Sequence, residues 1–360
     1  MQVRFAGRQM VRTSRGRFSL VLRARSGAGG TIRSREAARM PRKVRVATTS
    51  FAFGSGRRTV EQNRADACAL VEAAAAAGAE LVCLAENFLH TGLPAEALPV
   101  VEPLPGPTFD ALAAQARRHG VWIVAGFCVR TEAGLVENSA VVLDRAGRLA
   151  GRYAKVHPTI EECVQRGITP GTEATVLATD FGRLGLAICY DIGWPEHWAA
   201  LRARGAELVV WPSAYDGGFP LQVYAWTNQY YVVSAVRTAH ARVIDLTGQV
   251  LATTSRWHRL TACTIDLEKE VFHIDGQVEA LWRLQRELGS RVTVQAFSEE
   301  NIFTLESNDP AWPLARLKAH YGLENFHDYH RRAAAVQEAA RAAAAGAPPA
   351  AAGPAGRPRP

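Results

Sequence analysis

Short apolar runs alternate along this chain with longer stretches in which apolar residues recur every three or four positions. The runs "VRVATTSF" (44–51), "AELVCLAE" (79–86), "VWIVAGF" (121–127), "FGRLGLAICYD" (181–191) and "YYVVSAV" (230–236) are too short for buried helices and rich in β-branched residues, so they predict strands. The Ala-rich segment 60–78, the segment "TFDALAAQARRHG" closed by Gly120, and "EHWAALRARG" before "AELVVWPSA" predict helices. The segment "NSAVVLDRAGRLAGRYAKVH" (138–157) carries a hairpin turn signal in Arg-Ala-Gly, and "ARVIDLTGQVLATT" (241–254) reads as further strand. Hairpins interleaved with strand–helix units predict a layered α/β domain with mixed sheets.

The two ends depart from this pattern. Residues 1–39 hold ten arginines against Glu36 alone, a local charge of +9, so that the overall +8 and pI of about 9.4 are a property of this segment while the remainder is near neutrality. Residues 1–42 are therefore expected to be a basic extension without fixed structure. A transit-like peptide and a stretch that is not translated, with the start at Met40, are the other readings. The folded domain is expected over 43–270. Residues 271–331 keep Trp282, Phe297, Phe303 and Trp312 and are expected to be ordered, packed on the domain or on a partner subunit. From 332 to 360 Ala, Pro and Gly replace packing residues, which predicts a low-complexity tail with at most one helical piece.

Composition removes several function classes. No apolar run approaches the roughly 18 residues of a spanning helix, so a soluble protein without a membrane partner is expected. The six cysteines form no CxxC and the ten histidines are scattered, so neither a disulfide framework nor a metal site is signalled. The expectation is a reduced, cytoplasmic protein that needs no cofactor. With the basic charge confined to one end, a nucleic-acid partner is not favoured.

Three polar side chains stand where apolar strands end: Glu86 in "LVCLAENF", Lys155 in "GRYAKVHP" and Cys189 in "LGLAICYD". Singly, each has an ordinary structural explanation, because free cysteine packs in cores and charged strand ends are solvated. Together they supply what attack on an amide-like carbon requires. An unperturbed thiol is mostly protonated at neutral pH, a loss of roughly 2 kcal/mol unless a base such as Glu86 takes the proton. Lys155 and the backbone N–H after Cys189 can meet the negative charge that develops on the substrate oxygen. Leu184–Ile188 is expected to form the strand, with Cys189 on the turn and Pro195 opening the next helix.

With these motifs, together with "ITPGTE", "GAELVVWPSAY" and "NQYYVVSAV", the stretch from Val44 to Leu267 resembles the nitrilase or carbon-nitrogen hydrolase superfamily, which uses a Glu-Lys-Cys triad. The resemblance implies a four-layer α-β-β-α sandwich of two mixed sheets, paired into a homodimer or higher homo-oligomer. It implies Glu86 as base, Lys155 as oxyanion stabiliser and Cys189 as nucleophile. It also implies a second glutamate in the loop after the lysine, where Glu161 and Glu162 both stand and Glu162 is favoured. His157 is expected to orient that loop, and Glu196 to cap the helix that follows. Tyr190, Trp211 and Tyr215 are expected to line the substrate cleft.

Some positions depart from the family's usual pattern. Ala85 stands where a proline is usual, and Thr227-Asn228 where Glu-Asn is common. Cys189-Tyr190-Asp191 resembles the amidase and carbamoylase branches rather than nitrile-cleaving members. Ile192-Gly193 stands where an arginine for a substrate carboxylate is often found. The resemblance thus implies a cysteine-dependent hydrolase of an amide or N-carbamoyl group, acting through a thioester on a small molecule. The alternatives are a nitrilase and a catalytically inactive binding or scaffold protein.

Overall fold

The computed structural model describes residues 10–12, 18–20, 42–51, 56–94 and 99–346. The chain divides into two units, Met1–Arg39 and Met40–Pro360. In the first, strands Met10–Arg12 and Phe18–Leu20 pair antiparallel; the rest of 1–41 falls outside the described residues, and Arg42, expected to belong to the extension, pairs with Glu207 at 2.6 Å.

The second unit is built on two large mixed sheets. One runs in the order Leu260–Asp266, Lys43–Thr49, Leu81–Cys83, Trp122–Arg130, Val136–Leu143, Leu149–Ala154, with Val101–Pro103 paired parallel to Trp122–Arg130. The other runs Val250–Thr253, Arg242–Ile244, Tyr231–Val236, Leu208–Ser213, Arg183–Leu186, Thr175–Ala178. Each has parallel strands at its centre and antiparallel strands at its margins.

The two-residue period of a strand sends alternate side chains to opposite faces, and here both faces are apolar. Val44, Val46, Leu81, Cys83, Val124 and Val142 from one sheet meet Leu184, Leu186, Leu208, Val210, Val233 and Val243 from the other in a single buried cluster. Their neighbours Ala47, Val82, Ile123 and Val141 turn outward and pack under helices Val60–Ala76 and Pro107–His119. Val209, Trp211, Val232 and Ile244 pack under helices Pro195–Ala203 and Phe219–Asn228. Helix, sheet, sheet, helix is the four-layer order that the resemblance implied.

Local signals fix the helix ends. Thr59 and Gln62 form a reciprocal capping box, and Gly120, at φ 65°, closes the second helix in the left-handed conformation that glycine adopts without strain. Past 270 the chain adds a three-stranded sheet (Glu270–His273, Ile302–Ser307, Val292–Phe297). Helices Val278–Leu288 and Leu314–Tyr321 pack against it around a core of their own, with Phe272, Leu284, Phe303 and Leu317 fully buried. The last helix, Phe326–Gly346, runs through the boundary expected at 331/332, and 347–360 lies outside the described residues. Ala, Gln, Glu and Arg in 332–345 are good helix formers, which carries the helix through this low-complexity composition to Gly346. Among the described residues no helix is long and apolar enough to cross a membrane.

Candidate active site

The parallel strands Leu81–Cys83, Arg183–Leu186 and Leu208–Ser213 deliver side chains to one edge of the sandwich. Cys189 follows its strand after Ala187 and Ile188 and opens the short 3-10 turn Cys189–Gly193. Its φ is +43°, a conformation in which a non-glycine residue is strained. A hydrogen-bonded frame holds it there. Asp191 accepts from the Ile188 N–H at 2.8 Å, its own N–H donates to the Ile188 carbonyl at 2.9 Å, and the Trp211 indole donates to the Cys189 carbonyl at 3.0 Å. Pro195 begins the helix that follows, as expected. Glu196 lies in its first turn, where a negative charge is favoured, but makes no side-chain capping bond.

Glu86 and Lys155 are almost fully enclosed, at 2% and 1% exposure, so their charges have to be met by protein groups. The Lys155 ammonium donates to Glu86 Oε1 at 2.9 Å and to Glu162 Oε2 at 2.7 Å. Asn138, buried on the strand beside Lys155, donates through Nδ2 to Glu86 Oε1 and to Glu162 Oε1, each at 2.7 Å. Its carbonyl accepts from the Lys155 N–H at 2.8 Å. Glu86 Oε2 is buried without a hydrogen-bond partner among the described residues.

Of the two glutamates offered by the loop, the structure places Glu162 against Lys155. Glu162 also closes the capping box of the short helix Ile160–Val164, taking the Thr159 N–H on Oε2 at 2.8 Å. Glu161 points outward and pairs with Arg166 at 2.6 Å.

The electrostatics follow from this packing. Burial, and next the Glu86 charge, push the Cys189 thiol up to about 12, against the opposing pull of Lys155, the Ala214 N–H and the Ser213 hydroxyl. Burial by itself would lower Lys155, but Glu86, Cys189 and Glu162 outweigh it and hold the ammonium above its ordinary range. Burial would raise Glu162, yet Lys155, the Thr159 N–H and Asn138 hold it below the usual carboxylate range. Burial and the Glu86 charge thus favour the thiol over the thiolate at rest, which suits removal of its proton by a base as the sulfur reacts.

The residues expected to line the cleft divide. Tyr215 stands partly exposed; burial, then the charges of Cys189 and Glu86, raise its phenol to about 12, which puts it in the field of the reactive groups. Tyr190 is also partly exposed and meets Trp194 edge-on at 5.0 Å. Trp211 is completely buried and offers the cleft no surface; it supports the Cys189 carbonyl and packs edge-on against Tyr215.

His157 holds the loop, stacked on Trp194 at 4.1 Å, with its N–H and Nδ1 bonded to Asp191 Oδ1 at 3.0 and 2.8 Å. His157, Asp191 and His197 bring ligand-type atoms within 4.8 Å of one another. Both Asp191 oxygens already accept protein hydrogen bonds, two on each, which is a carboxylate's ordinary capacity. Asp191 is therefore committed to a structural network and offers no free lone pair to a cation.

This thiol, doubly paired ammonium and bare carboxylate oxygen define the class. The chain belongs to the carbon-nitrogen hydrolase family, whose profile matches residues 48–270 and so takes in Glu86, Lys155, Glu162 and Cys189. It is similar to Deaminated glutathione amidase of Synechocystis sp., with 33% identity over 228 residues, 55% of this chain and 84% of that protein. It is also similar to Omega-amidase NIT2 of Homo sapiens, with 28% identity over 230 residues, 56% of this chain and 82% of that one. In fold it resembles Nit3 of Saccharomyces cerevisiae, a member of branch 10 of the nitrilase superfamily. The TM-score is 0.55 at 20% identity, covering 69% of this chain and 94% of that structure.

Proposed function

We propose that this hydrolase cleaves the amide or N-carbamoyl C–N bond of a small molecule through a thioester on Cys189. The observation that carries the reading is Glu86 Oε2, a buried carboxylate oxygen with no hydrogen-bond partner among the described residues, on a glutamate whose charge acts on the Cys189 thiol. Sγ attacks the carbonyl carbon while Glu86 takes its proton. The new negative charge on oxygen is met by the Lys155 ammonium and the Tyr190 N–H. Glu86 returns the proton to the nitrogen, ammonia or an amine leaves, and the thioester forms. Glu86 then removes a proton from water as it attacks the thioester carbon, and gives it back to sulfur as the acid departs. Glu162 holds Lys155, and Tyr190 and Tyr215 border the substrate.

Amide chemistry in relatives named as amidases supports this reading over nitrile cleavage. The test is a screen of short amides, carbamoyl amines and nitriles for ammonia release, with Cys189→Ala as control and mass detection of an acyl adduct on Cys189. Turnover of nitriles with amides untouched would replace the reading by a nitrilase; release that persists in Cys189→Ala would remove the nucleophile.

The protein is further proposed to act in the cytoplasm as a homodimer or higher homo-oligomer. Six free cysteines suit a reducing compartment. Phe219, 71% exposed, and Val223 one turn along on the same outer helix form an apolar strip that suits a second copy.

A further inference from the structure

We propose that Asn138 is a positioning residue which, by occupying Glu86 Oε1, leaves Oε2 as the only oxygen able to take and return the proton. This rests on the reading of Glu86 as the base. Oε1 accepts two hydrogen bonds, from Lys155 Nζ at 2.9 Å and from Asn138 Nδ2 at 2.7 Å, which fills its lone pairs. Oε2 accepts none from the described residues and is shut off from solvent. A carboxylate held by Lys155 alone can turn about its last torsion and exchange its two oxygens, because that torsion is broad and twofold. The second donor removes this freedom, and three features make it a rigid one. Asn138 lies within a strand, completely buried, with its backbone bonded to the Lys155 N–H. Its other amide hydrogen is spent on Glu162 Oε1, so the NH₂ group bridges the two carboxylates and cannot rotate without losing both. Its Oδ1 is buried without a partner among the described residues, so the amide is oriented by its donor side alone.

A neutral donor also suits the charges. Glu86 and Glu162 carry two negative charges against the single positive charge of Lys155. A second lysine at 138 would neutralise the base, while an acid would repel both glutamates. The other titratable group facing this position is Cys128, opposite Asn138 in the strand register and kept protonated by burial, then by Glu86 and Glu162; Arg166 acts on it from the loop.

The test reads Cys189 directly and needs no substrate. The rate of carbamidomethylation by iodoacetamide, followed on the Cys189 peptide by mass spectrometry, is compared in wild type, Asn138→Ala, Glu86→Gln and the double variant. Asn138→Ala is expected to slow alkylation by roughly tenfold or more. In the Glu86→Gln background the same substitution is expected to change the rate by less than about twofold, since the residue acts through Glu86. Equal slowing in both backgrounds, or a wild-type rate in Asn138→Ala, overturns the proposal. Where Asn138→Ala folds poorly, Asn138→Ser, which keeps a small polar group too short to bridge both carboxylates, is put through the same cycle and judged by the same outcomes. Failure to hydrolyse any amide, with Cys189 alkylation still dependent on Glu86, would instead count against the proposed function and leave this inference standing.

Discussion

Asp191 accepts a hydrogen bond from the Tyr153 hydroxyl at 2.7 Å, and that contact joins the strand leading to Lys155 to the turn that holds Cys189. Tyr153 lies two residues before Lys155, and His157, also bound to Asp191, two residues after it. The carboxylate also takes the Ile188 N–H at 2.8 Å. One buried anion thus sets the spacing between the ammonium and the nucleophile.

Asp191→Asn keeps the shape but turns an NH₂ group toward donors. Leaving buried donors unpaired is expected to cost about 3 kcal/mol, a fall of roughly 6–10 °C in Tm for a domain of this size. Burial would raise the Asp191 carboxyl, but His157, His197, the Ile188 N–H and Tyr153 outweigh it and hold it below the ordinary range. Its contribution is therefore complete above the unfolded value of about 4 and is lost as pH falls through the lower folded value. A melting series from neutral pH into acid should show the wild type converging on Asp191→Asn at the acid end; parallel curves would refute the linkage.

A thiol pushed up to about 12 makes a distinct kinetic forecast. If free thiolate were the reacting species, kcat/KM would climb about tenfold per pH unit throughout the neutral and mildly alkaline range. With proton transfer to Glu86 coupled to attack, kcat/KM should be nearly level there. A pH–rate profile on any accepted amide decides, and a slope near unity would show that Glu86 is not the base.

Glu161 and Glu162 are adjacent in sequence and opposite in consequence. Removing the Glu162 charge leaves Lys155 with one anion in place of two, and breaking one arm of a buried ion pair typically costs about 3–5 kcal/mol. Glu162→Gln is expected to lie at the lower end, because the amide oxygen still accepts from Lys155, with activity down by at least roughly tenfold. Glu161→Gln disturbs only an exposed pair with Arg166 and should change stability by less than about 1 kcal/mol. Paired measurements of Tm and kcat test the contrast, and similar losses in both would reverse the assignment.

Much of this arrangement can be read from the sequence because it depends on short-range patterns. The alternation of strand and helix patterns predicts layered α/β structure with mixed sheets, the pairing of two sheets into a sandwich comes from the family resemblance, and the turn after "LGLAI" is visible in Cys-Tyr-Asp before a Pro-initiated helix, although the regular strand stops at Leu186. The choice of Glu162 was legible on a second ground, since Thr159 and Glu162 have capping-box spacing, which fixes the carboxylate at the helix start. Trp211 was placed in the cleft by its position after a strand run. Period-two counting from Val209 puts it under the helices instead, as observed. Asn138 could not be found this way: a single amide within "VENSAVV" is silent until the partner strands bring Glu86 and Glu162 to it from 52 and 24 residues away. Ser213 and Ala214, which act on the Cys189 sulfur, depend on the same long-range assembly.

Gly126 tests how closely the base is held by backbone packing alone. It faces the Glu86 backbone across the sheet, and a Cβ added there would lie 2.7 Å from Glu86 Cα and 2.9 Å from the Ala85 carbonyl oxygen. Both neighbours are backbone atoms, so no side chain can swing aside and the strand end must move. Gly126→Ala is expected to cost about 1–3 kcal/mol of stability, the range for overpacking in a filled core. Displacing Glu86 by a fraction of an ångström lengthens its reach to the thiol, so kcat should fall by roughly tenfold or more, with KM nearly unchanged because Tyr190 and Tyr215, proposed to border the substrate, are untouched. Thermal melts and steady-state kinetics separate the two effects. A variant with wild-type kcat would mean that Glu86 keeps its place without this close approach, and the precision assigned to the base would be unnecessary.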